Sequence, residues 1–135
     1  MANIPKKVLD RFVKQTARFQ KILKTAVNND LNEADTVTIV TDILSDVFGY
    51  DKYSEITSEY QIRNTYCDLA IKISDEVKYL LEVKSISLSL KESHLKQAVD
   101  YGAHEGIQWV VLTNGLIWRV YSIVLKKAIE FEKVG

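Results

Sequence analysis

The spacing of apolar and polar residues predicts two helices at the start of the chain. After Pro5, apolar residues recur at helical spacing with lysines and arginines between them, which predicts a long basic amphipathic helix over residues 5–27. A second helix is predicted after a polar break at residues 28–30. Asn32 is its expected N-cap, and its apolar stripe ends before Gly49.

Beyond Gly49 the apolar residues alternate with a period of two, which is typical of strands. Residues 90–104 return to helical spacing, and Asn114-Gly115 predicts a hairpin because both residue types tolerate positive φ. The resulting order, α-α-β-β-β-α-β-β, is that of an α/β domain with a central mixed sheet flanked by helices. Strands are predicted at residues 54–60, 66–73, 78–85, 108–113 and 116–123, with a short edge strand at 127–132.

The composition indicates one globular domain spanning residues 1–135. Of the 135 residues, 47% are apolar, and no linker or low-complexity segment divides them. The single cysteine, Cys67, excludes an intramolecular disulfide framework and favours a reducing, cytoplasmic setting. No apolar run approaches the roughly 20 residues of a membrane helix, and no cleavable signal is recognisable. We therefore expect neither membrane insertion nor secretion.

Charge is balanced over the whole chain but concentrated at one end. The sequence has 18 basic and 18 acidic residues, yet residues 1–24 hold seven basic side chains and one acidic side chain. This basic helix could bind nucleic acid or a partner protein, or form a homodimer through its apolar stripe at Phe12, Phe19 and Leu23. A solvated charged face is the commoner explanation of such a pattern, and composition alone leaves these alternatives open.

Two carboxylates and a lysine are predicted to meet on neighbouring strands. A hairpin centred on Asp75 would pair residue 72 with 78, 70 with 80 and 68 with 82, which brings Asp68 opposite Glu82, with Lys84 two residues further along the same face. Alternation along the second strand predicts two faces, one with Cys67, Leu69, Ile71 and Ile73 and the other with Tyr66, Asp68, Ala70 and Lys72.

This arrangement of charges suits phosphodiester hydrolysis. Opposed carboxylates destabilise a hairpin, whereas a divalent cation stabilises them, and Mg²⁺ typically binds one or two carboxylates together with water and phosphate oxygens. A lysine beside the ion can orient or help deprotonate the attacking water and can stabilise charge on the phosphate. Spacing alone leaves open an ordinary exposed ion pair between Glu82 and Lys84.

The residues around this trio resemble a known nuclease superfamily. Asp68 in Tyr-Cys-Asp-Leu-Ala-Ile and Glu82-Val83-Lys84 in Leu-Leu-Glu-Val-Lys-Ser are similar to the PD-(D/E)xK nucleases. The closer resemblance is to the N-terminal nuclease domain of type I restriction enzyme R subunits. Further similar segments occur in order within residues 30–123, namely Asn32-Glu33-Ala34-Asp35-Thr36, Phe48-Gly49-Tyr50-Asp51, Gln97-Ala98-Val99-Asp100-Tyr101 and Leu112-Thr113-Asn114-Gly115, followed by Trp118 and Tyr121.

The resemblance implies a restriction-endonuclease-like core at residues 30–123, with the helix at 5–27 as an addition. It implies a metal-dependent DNA endonuclease, in restriction or defence, that uses Mg²⁺ or in its place Mn²⁺. Asp68 and Glu82 would be the metal ligands, with the Val83 carbonyl as a third.

Three further roles follow from the resemblance. Lys84 would be the catalytic lysine. Glu33 matches an acidic residue of the first core helix that supports the metal or a bound water. Gln97 matches a glutamine near the active site, and its spacing from Tyr101 places both on one helix face.

The sequence also departs from the family. Cys67 stands where the superfamily name has a proline, which is a frequent variation. No Gly-x-x-x-x-Gly-Lys-Ser/Thr motif occurs, so no DNA-translocating motor is expected in these residues. The expected partners are DNA and a motor or specificity subunit. The alternative function is a catalytically silent nuclease-fold module that binds nucleic acid or a partner protein through its basic helix.

Overall fold

A computed structural model describes residues 4–125 and 129–134. The described residues form three α-helices and six strands, and a short 3₁₀ turn at Glu92–Leu95 leads into the third helix. Residues 127 and 128 of the predicted edge strand lie outside the described residues. The elements are α1 (Lys6–Asn28), α2 (Glu33–Asp46), β1 (Ile56–Ile62), β2 (Thr65–Ile73), β3 (Glu76–Val83), α3 (Lys96–Glu105), β4 (Trp109–Thr113), β5 (Trp118–Leu125) and β6 (Ile129–Lys133).

The strands form one mixed sheet in the order β1-β2-β3-β4-β5-β6. The pairing of β3 with β4 is parallel, because α3 lies between them in the chain, and the other neighbouring strands are antiparallel. This confirms the predicted α/β class, the order of elements and the extra N-terminal helix. β6 also confirms an edge strand after β5. Among the described residues, no helix has both the length and the hydropathy needed to cross a bilayer.

The helices form layers on the two faces of the sheet. α3 packs on one face, where Ala98 and Val99 join a buried cluster with Leu80 of β3. α2 covers part of the other face through a cluster that includes Val40 and Leu81. The outermost layer is α1, whose buried Phe19 contributes to a smaller cluster together with Ile43 and Val47. The basic helix is therefore held mainly by its second half.

The register of the β2–β3 hairpin confirms part of the prediction and corrects the rest. Leu69 pairs with Leu81 and Ala70 with Leu80, as expected for a hairpin that brings Asp68 towards Glu82. Nearer the turn, residue 72 pairs with 77 and not with 78, because the register shifts between residues 71 and 72. The cause is the two-residue turn at residues 74 and 75, which both have positive φ. β3 then has one residue more than β2 between the turn and the paired residues 71 and 79, and a β-bulge accommodates it.

The predicted faces of β2 are wrong around Asp68. Cys67 lies in the buried cluster on the α3 side together with Ala70, whereas Leu69 lies in the cluster on the α2 side. Strict alternation would have placed Cys67 and Leu69 on one face. The β1–β2 ladder pairs residue 58 with 69 and 60 with 67, and Glu59 between them has a φ of 49°. This local irregularity changes the direction of the side chains opposite it.

The loop between β4 and β5 also differs from the prediction. Of the pair Asn114-Gly115, only Gly115 adopts positive φ, and the loop has four residues, 114–117, between the paired residues 113 and 118. Asn114 contributes through its side chain, since its Oδ1 accepts the backbone N–H groups of Leu116 and Ile117. The residue pair thus marks the hairpin correctly, but by a different mechanism.

Candidate active site

Four of the residues singled out from the sequence come together where α2 begins, beside β2 and the end of β3. The Nζ of Lys84 lies 3.5 Å from Oε1 of Glu33. The backbone N–H of Val83 donates to Oδ2 of Asp68 at 2.7 Å. The carboxyl groups of Asp68 and Glu82 interact directly, and each alters the pKa of the other. The predicted convergence of the two carboxylates with the lysine is therefore present.

The position of Glu33 depends on the start of α2. Asn32 is the N-cap, as predicted, and its side chain accepts the backbone N–H of Asp35 at 2.8 Å. Its backbone carbonyl accepts the hydroxyl of Thr36 at 2.8 Å. Glu33 is the first residue of the helix, where a carboxylate is favoured by the helix dipole. The cap thus fixes the point from which the Glu33 side chain reaches Lys84.

We expect Asn32→Ala to lower the free energy of unfolding by about 1 kcal/mol, because the variant leaves the Asp35 N–H without its capping acceptor. Asn32→Ser is the matched control, since serine caps helices about as well as asparagine. Urea unfolding of both variants measures the difference. Equal stability of the alanine variant and the wild type would contradict this role of the cap.

The two carboxylates carry raised pKa values, chiefly because they are removed from solvent. Burial raises the pKa of Glu82 to about 7, and the negative charge of Asp68 adds to the effect. Burial also raises the pKa of Asp68, assisted by the charge of Glu33, although the Val83 N–H and the Lys84 ammonium act in the opposite direction. The pair therefore holds a proton up to near-neutral pH, and a bound cation would replace it.

An open cavity of about 560 Å³ lies beside Asp68 and Glu33. Its other walls are residues at the start of α2, among them Ala34 and Val37, and two residues of β1, Ser58 and Glu59. Ser58 and Glu59 were not predicted as part of the site. No motif marks them, and their position depends on the irregular backbone at Glu59.

Two further residues lie beside the site, and their contacts with it were not predicted. His94 lies close enough to Lys84 and Glu33 for both charges to affect its pKa, which burial and the nearby lysines lower. Its Nδ1 accepts the backbone N–H of Lys91 at 3.2 Å. On the opposite side, the thiol of Cys67 is buried and contacts the Leu81 carbonyl at 3.0 Å. Burial raises the pKa of this thiol, and the Glu82 carboxylate beside it adds to the shift.

Gln97 borders a different cavity. It is exposed and lines a second cavity, of about 280 Å³, with Arg63 and Asn64 from the β1–β2 turn. Tyr101 lines the same cavity, so the two residues do share a helix face, and its hydroxyl lies 3.4 Å from that of Tyr60. The described walls of this cavity do not include Asp68, Glu82 or Lys84. The catalytic role of Gln97 remains a prediction.

The donors available to a metal ion are few. Across residues 4–125 and 129–134, no group of three or more histidine, cysteine, aspartate or glutamate side chains has the arrangement of a metal site. The directly interacting carboxylates of Asp68 and Glu82 nevertheless match the one or two carboxylates that Mg²⁺ typically takes from a protein.

Comparison with known proteins gives the family. The family described as type I restriction enzyme R protein N terminus (HSDR_N) matches residues 38–134, which is most of the chain. The chain belongs to this family. No curated protein and no solved structure matches it. Membership in this restriction enzyme family supports a restriction-related role and confirms the resemblance seen in the sequence. The matched segment contains Asp68, Glu82 and Lys84, whereas Glu33 and α1 precede it.

Proposed function

We propose that the chain is a metal-dependent endonuclease domain that hydrolyses phosphodiester bonds of DNA in a restriction-related role. The observation that carries this proposal is the pair of interacting carboxylates, Asp68 and Glu82, next to the Lys84 ammonium within the segment that matches the family. A pair of half-buried carboxylates with raised pKa values is costly in a purely structural sheet and is characteristic of functional sites.

The residues present fit a hard divalent cation such as Mg²⁺ or Mn²⁺. Asp68 and Glu82 would hold the ion through carboxylate oxygens, and the Val83 carbonyl would be the third protein ligand. The Val83 N–H already donates to Asp68, and in an extended strand the N–H and carbonyl of one residue point to the same neighbour. When bound, the ion would lower the pKa of a water molecule and offset charge on the phosphate.

Lys84 would act on the phosphate and on the attacking water. Its side chain is 23% exposed, so its charge is only partly screened by solvent, yet it can still reach a substrate. Glu33 would hold the ammonium near the carboxylates through its 3.5 Å contact. The open cavity beside Asp68 gives a phosphodiester access to the same place. These residues thus supply binding, orientation and charge at one point.

DNA is accordingly the proposed substrate, and a motor or specificity subunit is the proposed partner, in a cytoplasmic setting. The second candidate function is the silent module, for which the exposed lysines of α1 provide support. A silent module would bind DNA without needing a metal ion. The two functions therefore differ in the affinity of the carboxylate pair for Mg²⁺.

We expect wild-type protein to bind Mg²⁺ or Mn²⁺ in calorimetric titrations, and Asp68→Asn to weaken this binding at least about tenfold, because one charged ligand is lost. Asp75→Asn is the matched control, since Asp75 lies in the exposed β2–β3 turn and asparagine tolerates its positive φ. DNA binding that persists in wild type without any detectable metal binding would favour the silent module instead.

A further inference from the structure

An apolar groove lies beside the C-terminal end of α2, on the sheet face that this helix leaves partly uncovered. Its volume is about 360 Å³ and its walls are almost wholly apolar. Aromatic rings predominate among the residues that form it, which include Phe48, Tyr50, Tyr79, Trp109 and Trp118. It is separate from the cavity beside Asp68.

The groove continues onto the first half of α1. The ring of Phe48 lies 6.0 Å from that of Phe12 and 6.1 Å from that of Trp118, so the aromatic wall reaches the helix. Leu9, Phe12 and Val13 are 48%, 43% and 61% exposed. In the second half of the same helix, by contrast, Phe19 is only 4% exposed. The groove and these three α1 side chains form one surface, called here the apolar surface.

The shape of the apolar surface suits a helix. Leu9, Phe12 and Val13 have the i, i+3, i+4 spacing that forms a ridge along one side of α1. Amphipathic helices bind to other proteins by laying their apolar side chains into a groove of this kind, and the ridge on α1 would pack along the side of such a helix. A contiguous exposed surface of this kind on a small domain is typical of an interaction site.

Charge identifies the occupant. Lys6, Lys7 and Lys14 are exposed on the same half of α1, where Asp10 is the only acidic residue. Two copies that met through α1 would bring these lysines together across a symmetric contact, which is unfavourable. Nucleic acid would match the charge, but the groove exposes almost no polar surface that could hydrogen-bond its phosphates. An acidic protein segment satisfies both the charge and the apolar walls.

We propose that the apolar surface binds an acidic amphipathic helix of a partner protein. The apolar side chains of that helix fill the groove and pack on Leu9 and Val13, and its carboxylates face Lys6 and Lys14. The inference goes beyond the nuclease activity and does not depend on it, because the site contains none of the proposed catalytic residues.

The probe is a designed, fluorescently labelled helical peptide of about 18 residues, or five turns, with leucines on one face and glutamates on the other. We expect it to bind the full chain, as measured by fluorescence anisotropy. Phe48→Ser and Val13→Ser should each weaken binding at least about tenfold, because each removes an apolar anchor. Val27→Ser is the matched control: Val27 is 41% exposed at the far end of α1, and its loss should leave binding unchanged.

Three outcomes would overturn the proposal. One is equal binding of a peptide with lysines in place of the glutamates, which would remove the charge argument. Another is a single-stranded oligonucleotide that binds wild type and is lost in Phe48→Ser, which would make the surface a nucleic-acid site. The third is a dimer in sedimentation that Val13→Ser dissociates, which would identify a second copy as the occupant. Circular dichroism of each variant confirms that folding is retained.

Discussion

Lys84→Ala is expected to lower metal-dependent DNA cleavage by about 100-fold or more while the protein remains folded. The Lys84 ammonium lies close enough to both carboxylates to act against the rise in their pKa values, and the loss of a positioned charge that stabilises a phosphoryl transition state typically costs this much. Lys84 is also partly exposed, so its truncation leaves no buried cavity. Cleavage of supercoiled and linear DNA with Mg²⁺ and with Mn²⁺ is the measurement.

Lys78→Ala is the matched control for this experiment. Lys78 lies on the same strand, but its Nζ contacts the exposed Glu76 at 3.1 Å and lies away from the carboxylate pair. The control should cut DNA at the wild-type rate. If Lys84→Ala cuts as fast as Lys78→Ala, the lysine has no role in hydrolysis and the proposed assignment fails.

The second large effect concerns pH. The pKa of Glu82 is about 7 in the folded protein, against an ordinary value of 4.5. The folded state therefore binds the proton more tightly than the unfolded state. The stabilisation that proton binding at Glu82 gives the folded protein is complete below pH 4.5 and is lost as the pH rises through 7. The loss between pH 4.5 and 8 is on the order of 3 kcal/mol in the metal-free protein.

Glu82→Gln should remove most of this pH dependence, because glutamine stays neutral. Urea unfolding at several pH values between 5 and 8 measures the difference between wild type and variant. Glu76→Gln, an exposed change on the same strand, should retain the wild-type profile. Parallel profiles for wild type and Glu82→Gln would show that Glu82 does not titrate between pH 5 and 8. Added Mg²⁺ should stabilise wild type most at high pH, where no proton competes for the carboxylates.

Much of the fold and the central part of the site were predictable from local rules. Helical spacing, the Asn32 cap and strand alternation gave the elements, and the count of residues across the hairpin brought Asp68 towards Glu82. These features depend on sequence neighbours or on one turn. Short stretches of sequence are therefore enough to predict them.

What could not be predicted depends on tertiary packing. The direction of the Cys67 side chain follows from the left-handed backbone at Glu59, and glutamate is not a residue that signals such a conformation. The contact between Glu33 and Lys84 requires the docking of α2 on the sheet. The cavity that Gln97 lines likewise depends on where α3 packs.

The bulge in the β2–β3 hairpin makes the length of that hairpin a functional quantity. Next to the turn, residue 73 pairs with 76 and residue 72 with 77. The pairing that brings Asp68 opposite Glu82 is shifted by one residue from this, and the bulge connects the two registers. Deleting one residue of β2 between Asp68 and the turn, with the bulge kept, would align Asp68 with Leu81, whose side chain carries no charge. Such a deletion would preserve a sheet yet abolish the acidic pair, so this part of β2 should tolerate substitution far better than the loss of a residue.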